Sequence, residues 1–245
     1  MTEIFPHAPL TEALIDIRVK LSGNVSLADL EKLQDPIRVE YPDKKTRRMW
    51  EGTFEMKDEK EALQKTQFQV DGYLFTSADG KQVVQYRLDG FTFSRLRPYS
   101  RWEEVFAEAQ KLWRIYTEGT KPLLVTRLAV RYINSIEIPS KTLDYDDYFT
   151  ASPRIPPALP QGLAHFFTRL VIPFPDRGAI ATITQTPLDK HDPINTVIIL
   201  DIEVSKEMNS DPDDRTIVDI FSILRVVKNE IFFSSVTEKT KELFR

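Results

Sequence analysis

Apolar residues recur at every second position through most of this chain and at helical spacing in only two long stretches. That division restricts the fold to a mainly antiparallel sheet carrying two long helices. From Glu12 to Leu21, Ala13, Ile15, Ile17 and Val19 fall on one side and Asp16, Arg18 and Lys20 on the other, the pattern of a half-buried strand. Strand-like runs follow at Arg47 to Met56, Gln67 to Thr76, Gln82 to Leu88 and Phe91 to Arg97, with Asp-Gly turns in Ser77 to Lys81 and Leu88 to Gly90. Further strands are expected at Leu123 to Ile138, Ala164 to Ile172, Gly178 to Thr186 and Thr196 to Val204.

The first helical stretch repeats Trp102, Val105, Phe106, Ala109, Leu112, Trp113 and Tyr116, with Gly119 and Pro122 placed to stop it. The second repeats Ile217, Ile220, Phe221, Leu224, Val227 and Ile231 behind the carboxylates Asp211, Asp213 and Asp214. Ser26 caps a short helix, Leu143 to Phe149 reads as another, and Ser235 with Glu238 matches a capping box for a terminal one. The proline-rich segment Ser152 to Gly162 can be neither helix nor central strand. The expected fold is therefore α+β, in two similar halves, 1–120 and 121–245, packed as one unit. Each half reads strand, short helix, antiparallel meander, long helix, with both long helices on one face of the sheet.

Hydrophobic residues make up 41% of the 245 positions and charged residues 29%, enough to bury a substantial core. The net charge of -4 gives no global basic field for nucleic acid or an anionic membrane. With 0 cysteines there is no disulfide, thiolate metal site or Cys nucleophile, which fits a reducing cytoplasm. The first residues lack a signal-peptide pattern and no run is long enough to span a bilayer, so a cytoplasmic protein is expected.

The phrases Ala8 to Leu14 followed by Ile15 to Val19, Leu96 to Trp102, Arg127 to Pro139 and Phe232 to Phe244 together resemble a sporadically distributed family of bacterial and archaeal proteins of about this length. The positions that carry the resemblance are Pro9, Glu12, Arg18, Pro98, Trp102, Arg131, Tyr132, Asn134 and Thr237. The family has no established activity, so the resemblance implies no catalytic residue. Its patchy distribution is similar to that of defence-associated genes.

Charged residues on the inferred strands form the first candidate site. Asp16 with Arg18, Gln85 with Arg87, Arg127 with Arg131, and Asp201 with Glu203 each share a strand face. Were those faces to coincide, Arg18, Arg87, Arg127, Arg131 and Asp16 would bind an anionic ligand such as a phosphate or nucleotide, with Asp201 and Glu203 holding Mg²⁺, as in a ligand-binding protein or an Mg²⁺-dependent phosphoryl-processing enzyme. Opposite charges on neighbouring strands also simply pair across a sheet, and that plainer reading is preferred. A second candidate is Tyr86 to Trp102, where Arg95, Arg97 and Arg101 interleave with aromatics as in single-strand nucleic-acid binders. The same pattern arises when aromatics face the core and arginines face water.

His7, His165 and His191 lack metal-ligand spacing, and the 8 glycines form no phosphate loop. No cofactor is evident outside the Mg²⁺ alternative. The expected function is that of a non-enzymatic protein-binding module, in a defence or toxin-related system, with another protein or a second copy of the chain as partner and neither nucleic acid nor membrane. An exposed apolar patch beside a long helix would favour this reading, and unpaired arginines in a concave pocket would favour the ligand reading.

Overall fold

The computed structural model describes residues 5–57, 61–139, 144–188, 195–211 and 213–245, with side chains described throughout except at 49–68. In chain order the elements are β1 (Leu10–Lys20), α1 (Leu27–Lys32), β2 (Asp43–Lys57), β3 (Glu61–Thr76), β4 (Gln82–Arg87), β5 (Gly90–Leu96) and α2 (Trp102–Thr120). Then come β6 (Leu124–Ile138), β7 (Thr168–Phe174), β8 (Ala179–Pro187), β9 (Thr196–Ser210), α3 (Asp214–Ser235) and α4 (Glu238–Glu242). The nine strands form one antiparallel sheet in the order β2-β3-β4-β5-β1-β6-β9-β8-β7.

The fold is thus mixed α/β, and its first strand lies near the middle of its sheet. Ala13, Ile15, Ile17 and Val19 of β1 are buried, as their alternation requires. Ile15 pairs with Phe93 on one side and Val130 on the other, which aligns the apolar side of β1 with those of β5 and β6. Onto this surface α2 brings Trp113 and Tyr116, whose rings lie 5.8 and 6.4 Å from that of Phe91. α3 lies over β6 and β9, and Phe106 of α2 meets Phe221 of α3 at 5.5 Å. Each such side chain contributes about 1.5–3 kcal/mol on full burial, so the aromatic cluster is a large share of what orients the helices.

Two helix-end expectations are corrected. α2 does not stop at Gly119; it runs through Thr120, and Lys121 takes the left-handed conformation at φ 47. Gly119 instead faces Leu33, whose Cδ2 would lie 2.3 Å from an added Cβ, so its role is close packing against the end of α1. Ser235 does not cap α4 either. It is the last residue of α3, its hydroxyl donating to the Ile231 carbonyl, and Thr237 caps α4 by accepting from the Thr240 N–H. Ser26 does cap α1, in a reciprocal box with Asp29. Tyr145–Asp147 is a single 3-10 turn rather than a longer helix.

Gly90 begins β5 opposite Arg18 with φ +152, and a Cβ there would sit 2.2 Å from the Ile17 carbonyl oxygen. Gly80, with φ +68, has nothing within 4 Å of the same position. Gly90→Ala should therefore cost about 2–4 kcal/mol, from overpacking against backbone in addition to strain, whereas Gly80→Ala should cost about 1 kcal/mol from strain alone. Equilibrium urea unfolding of both variants checks this, and equal losses would refute the close approach.

Candidate functional site

The charged strand faces do coincide. They form the side of the sheet away from α2 and α3, and their arginines are paired. Arg87, only 3% exposed at its side chain, donates from Nη2 to Asp16 at 2.9 Å, from Nε to Asp89 at 3.0 Å and from Nη1 to Thr92 at 2.6 Å. The Thr92 hydroxyl donates on to Asp16 at 2.7 Å. Arg18 donates to Asp16 at 3.2 Å and pairs with Asp89. Arg127 lies 3.5 Å from Asp16 and also pairs with Glu203 and Glu207. A continuous polar chain therefore crosses β4, β5, β1, β6 and β9, with Asp16 at its centre. Burial raises the Asp16 carboxyl, but Arg87, Thr92 and Arg18 together outweigh it and hold the group below the ordinary aspartate range.

The remaining members are paired as well. Arg131 grips Asp201 with two nitrogens, Nε at 2.9 Å and Nη2 at 2.6 Å. Asp201 and Glu203 thus each face a guanidinium, an unsuitable donor set for Mg²⁺. Among the described residues no three His, Asp or Glu side chains converge as metal ligands. The carboxylates needed for a cation and the guanidinia needed for an anion neutralise one another.

In the segment of Arg95, Arg97 and Arg101, Phe91 and Phe93 face the core while Arg97 and Arg101 are exposed, as the plainer reading expects, and Arg95 departs from it. Arg95 stands opposite Ala13 as Phe93 stands opposite Ile15, so arginine and aromatics share the helix-covered side of β5. Phe91 and Phe93 are fully buried, and the Arg95 Nε is buried without a hydrogen-bond partner. Arg97 reaches the Pro9 carbonyl at 3.4 Å, and Arg101 lies 3.9 Å from Glu104 at the start of α2. Phe91 and Phe93 are core, whereas Tyr99 and Trp102 of the same segment line a cleft described below. His191 lies outside the described residues.

Two features that the sequence reading missed lie elsewhere. One is a cleft of about 370 Å³ on the helix side, between the start of α2, α3 and residues 5–10. Pro9, Trp102, Tyr132 and Asn134 line it. So does Lys228 of α3, 8% exposed, with its Nζ 3.7 Å from the centre of the Tyr132 ring. Burial, then the neighbouring Arg225, lowers the Lys228 ammonium to about 7. Its signal was present in the sequence: position 228 continues the buried stripe of Phe221, Leu224 and Val227, where a lysine is out of place.

The other is the β7 end of the sheet. Among the described residues β7 pairs only with β8, and its Leu170, Val171 and Ile172 are exposed, Val171 by 60%. Phe167 and Ile180 lie beside them, and Ile223 and Val226 are exposed on α3, where they share a hollow with Asp176, Gly178 and Lys206. No described helix is long and apolar enough to cross a membrane. No protein-family model and no curated protein matches the chain.

The paired face predicts unequal substitutions. Asp16→Asn strands the buried Arg87 charge and should cost about 3 kcal/mol, whereas Asp201→Asn opposite the more exposed Arg131 should cost below about 1 kcal/mol. Because Asp16 is held below its ordinary pKa, its contribution is complete above about pH 4 and lost as pH falls through its folded value. Denaturant unfolding from pH 7 to 3 should show the gap between wild type and Asp16→Asn closing only below about pH 4. A gap undiminished at pH 3 would mean the ionised carboxylate is not what Arg87 needs.

Proposed function

We propose that this chain is a non-enzymatic protein-binding module that docks its partner along the free edge of β7. The observation that carries the reading is the run Leu170, Val171 and Ile172, exposed on both sides of an edge strand. A continuous apolar run is the pattern of a strand covered on both faces. Natural sheets normally blunt an edge with charge or proline, and β7 carries Arg169 and Pro173 only at the two ends of this apolar run, whereas β2 at the opposite end has lysines and arginines at positions 44, 45, 47 and 48. A partner adding its own strand to β7 would satisfy the outer backbone groups and cover Val171, while its flanking side chains would reach Ile223 and Val226. Against an enzymatic reading, the arginines and carboxylates of the opposite face are committed to one another. A defence or toxin-related setting for the partner follows from the family resemblance alone.

We also propose that the chain arose from two copies of one unit, 1–120 and 121–245. In support, β1 and β6 lie side by side, each flanked by the last strand of its own half, β5 or β9, and each half passes from that strand into its long helix.

Val171→Lys tests the docking edge, since it places a charge on an exposed site and should change stability by no more than about 0.5 kcal/mol. Wild-type protein used as bait should capture a partner whose cross-links map to 167–180, and Val171→Lys should reduce that capture at least about tenfold. Cross-links that map elsewhere, or equal capture by both proteins, would overturn the reading.

A further inference from the structure

Lys228 is a buried amine with no carboxylate beside it among the described residues. Among the described residues no carboxylate or carbonyl accepts from its Nζ, and its close contact is the face of the Tyr132 ring. The charged groups around it do not repair this. Arg225, one helical turn before it, is a second cation, and Glu103 of α2 is already engaged by Arg225 at 3.0 Å. Tyr99 and Tyr132 join hydroxyl to hydroxyl at 2.8 Å, and burial raises both phenols, so neither supplies a phenolate. Asn134, the remaining buried polar side chain, donates its amide to the Leu200 carbonyl. Of the cations that line the cleft, Arg101 lies 3.9 Å from Glu104 and Arg225 is held by Glu103, so among the described residues Lys228 is the one without a carboxylate beside it.

The walls are of another character. Phe5, Leu10, Trp102, Phe232 and Phe233 give the cleft an apolar lining, and its volume of about 370 Å³ is that of a small-molecule site. An ammonium recessed at the end of an apolar cleft is costly unless an anion meets it, and an ion pair formed there is little screened by solvent.

We propose that this cleft binds a small organic monoanion, a carboxylate carried on an aromatic or branched apolar body, with the carboxylate on Lys228 and the body against Trp102 and Phe232. The charge count favours one negative charge over the two of a phosphate monoester, and the lining favours a hydrocarbon over a sugar. The site is independent of the β7 edge, because it lies between the helices and residues 5–10 and uses no residue of β7 or β8.

Phenylacetate and its neutral isostere phenylacetamide are suitable probes. Both fit the apolar walls, and only the acid offers a charge to Lys228. Phenylacetate should raise the thermal unfolding midpoint saturably, and the amide should bind at least about tenfold more weakly. Lys228→Met, which fills the same space without charge, should unfold at a higher temperature than wild type when free of ligand and should lose the preference for the acid. In side-chain-labelled wild-type protein, the Lys228 ε-carbon resonance should titrate at higher pH when phenylacetate is present. The proposal is overturned if acid and amide shift the midpoint equally, if Lys228→Met keeps the preference, or if phenylacetate, benzoate and hexanoate all leave both the midpoint and the Lys228 resonance unchanged.

Discussion

The contact between Asp16 and Arg87 is the constraint to which the rest of the sheet is adjusted. A guanidinium as buried as Arg87 is tolerated only if its fork is filled, and Asp16, Asp89 and Thr92 fill it from β1, the β4–β5 turn and β5. That requirement sets the lateral order of three strands and, through Arg127 and Glu203, extends it to β6 and β9. The Tyr116 hydroxyl donates to the Arg87 backbone carbonyl at 2.8 Å, which ties α2 to the same residue. The polar side of the sheet therefore specifies register, while the aromatic side supplies most of the burial.

Periodicity made most of the fold legible. The alternation in β1 and the 3.6-residue stripes of α2 and α3 were sufficient because each is a long, one-sided pattern whose only stable outcome is burial of that side. Element ends were less legible. Gly119 and Ser235 are residue types that end or begin helices, yet the packing of Leu33 against one and the Ile231 carbonyl available to the other determined their roles. A helix terminus is decided by what the neighbouring element needs, and that information is not local.

The candidate residues divide in a similar way. Which charged side chains share a strand face can be read from parity, and Asp16, Arg18, Arg87, Arg127, Arg131, Asp201 and Glu203 do meet on one side of the sheet. Whether such residues hold a ligand or one another depends on register between strands far apart in sequence, and the pairing of Arg131 with Asp201 crosses 70 positions. Lys228 shows the reverse case. Its departure from the apolar stripe was visible locally, but a single charged residue gains meaning only when the facing wall is known to hold Tyr132 and, among the described residues, no free carboxylate.

The position of β1 has a consequence for how the protein comes into being. β1 is complete at Lys20 and receives its second neighbour only when β6, Leu124–Ile138, has been made. Until then the future centre of the sheet is an exposed margin, with Ile15 and Ile17 covered from one side and Asp16 lacking Arg127. A ribosome thus carries a nascent chain whose most interior strand has no neighbour until β5, Gly90–Leu96, has been made, and is then a one-sided border until β6 follows. The alternating charges Asp16, Arg18 and Lys20, of which the first two are paired in the finished molecule, also disfavour that temporary border joining its like.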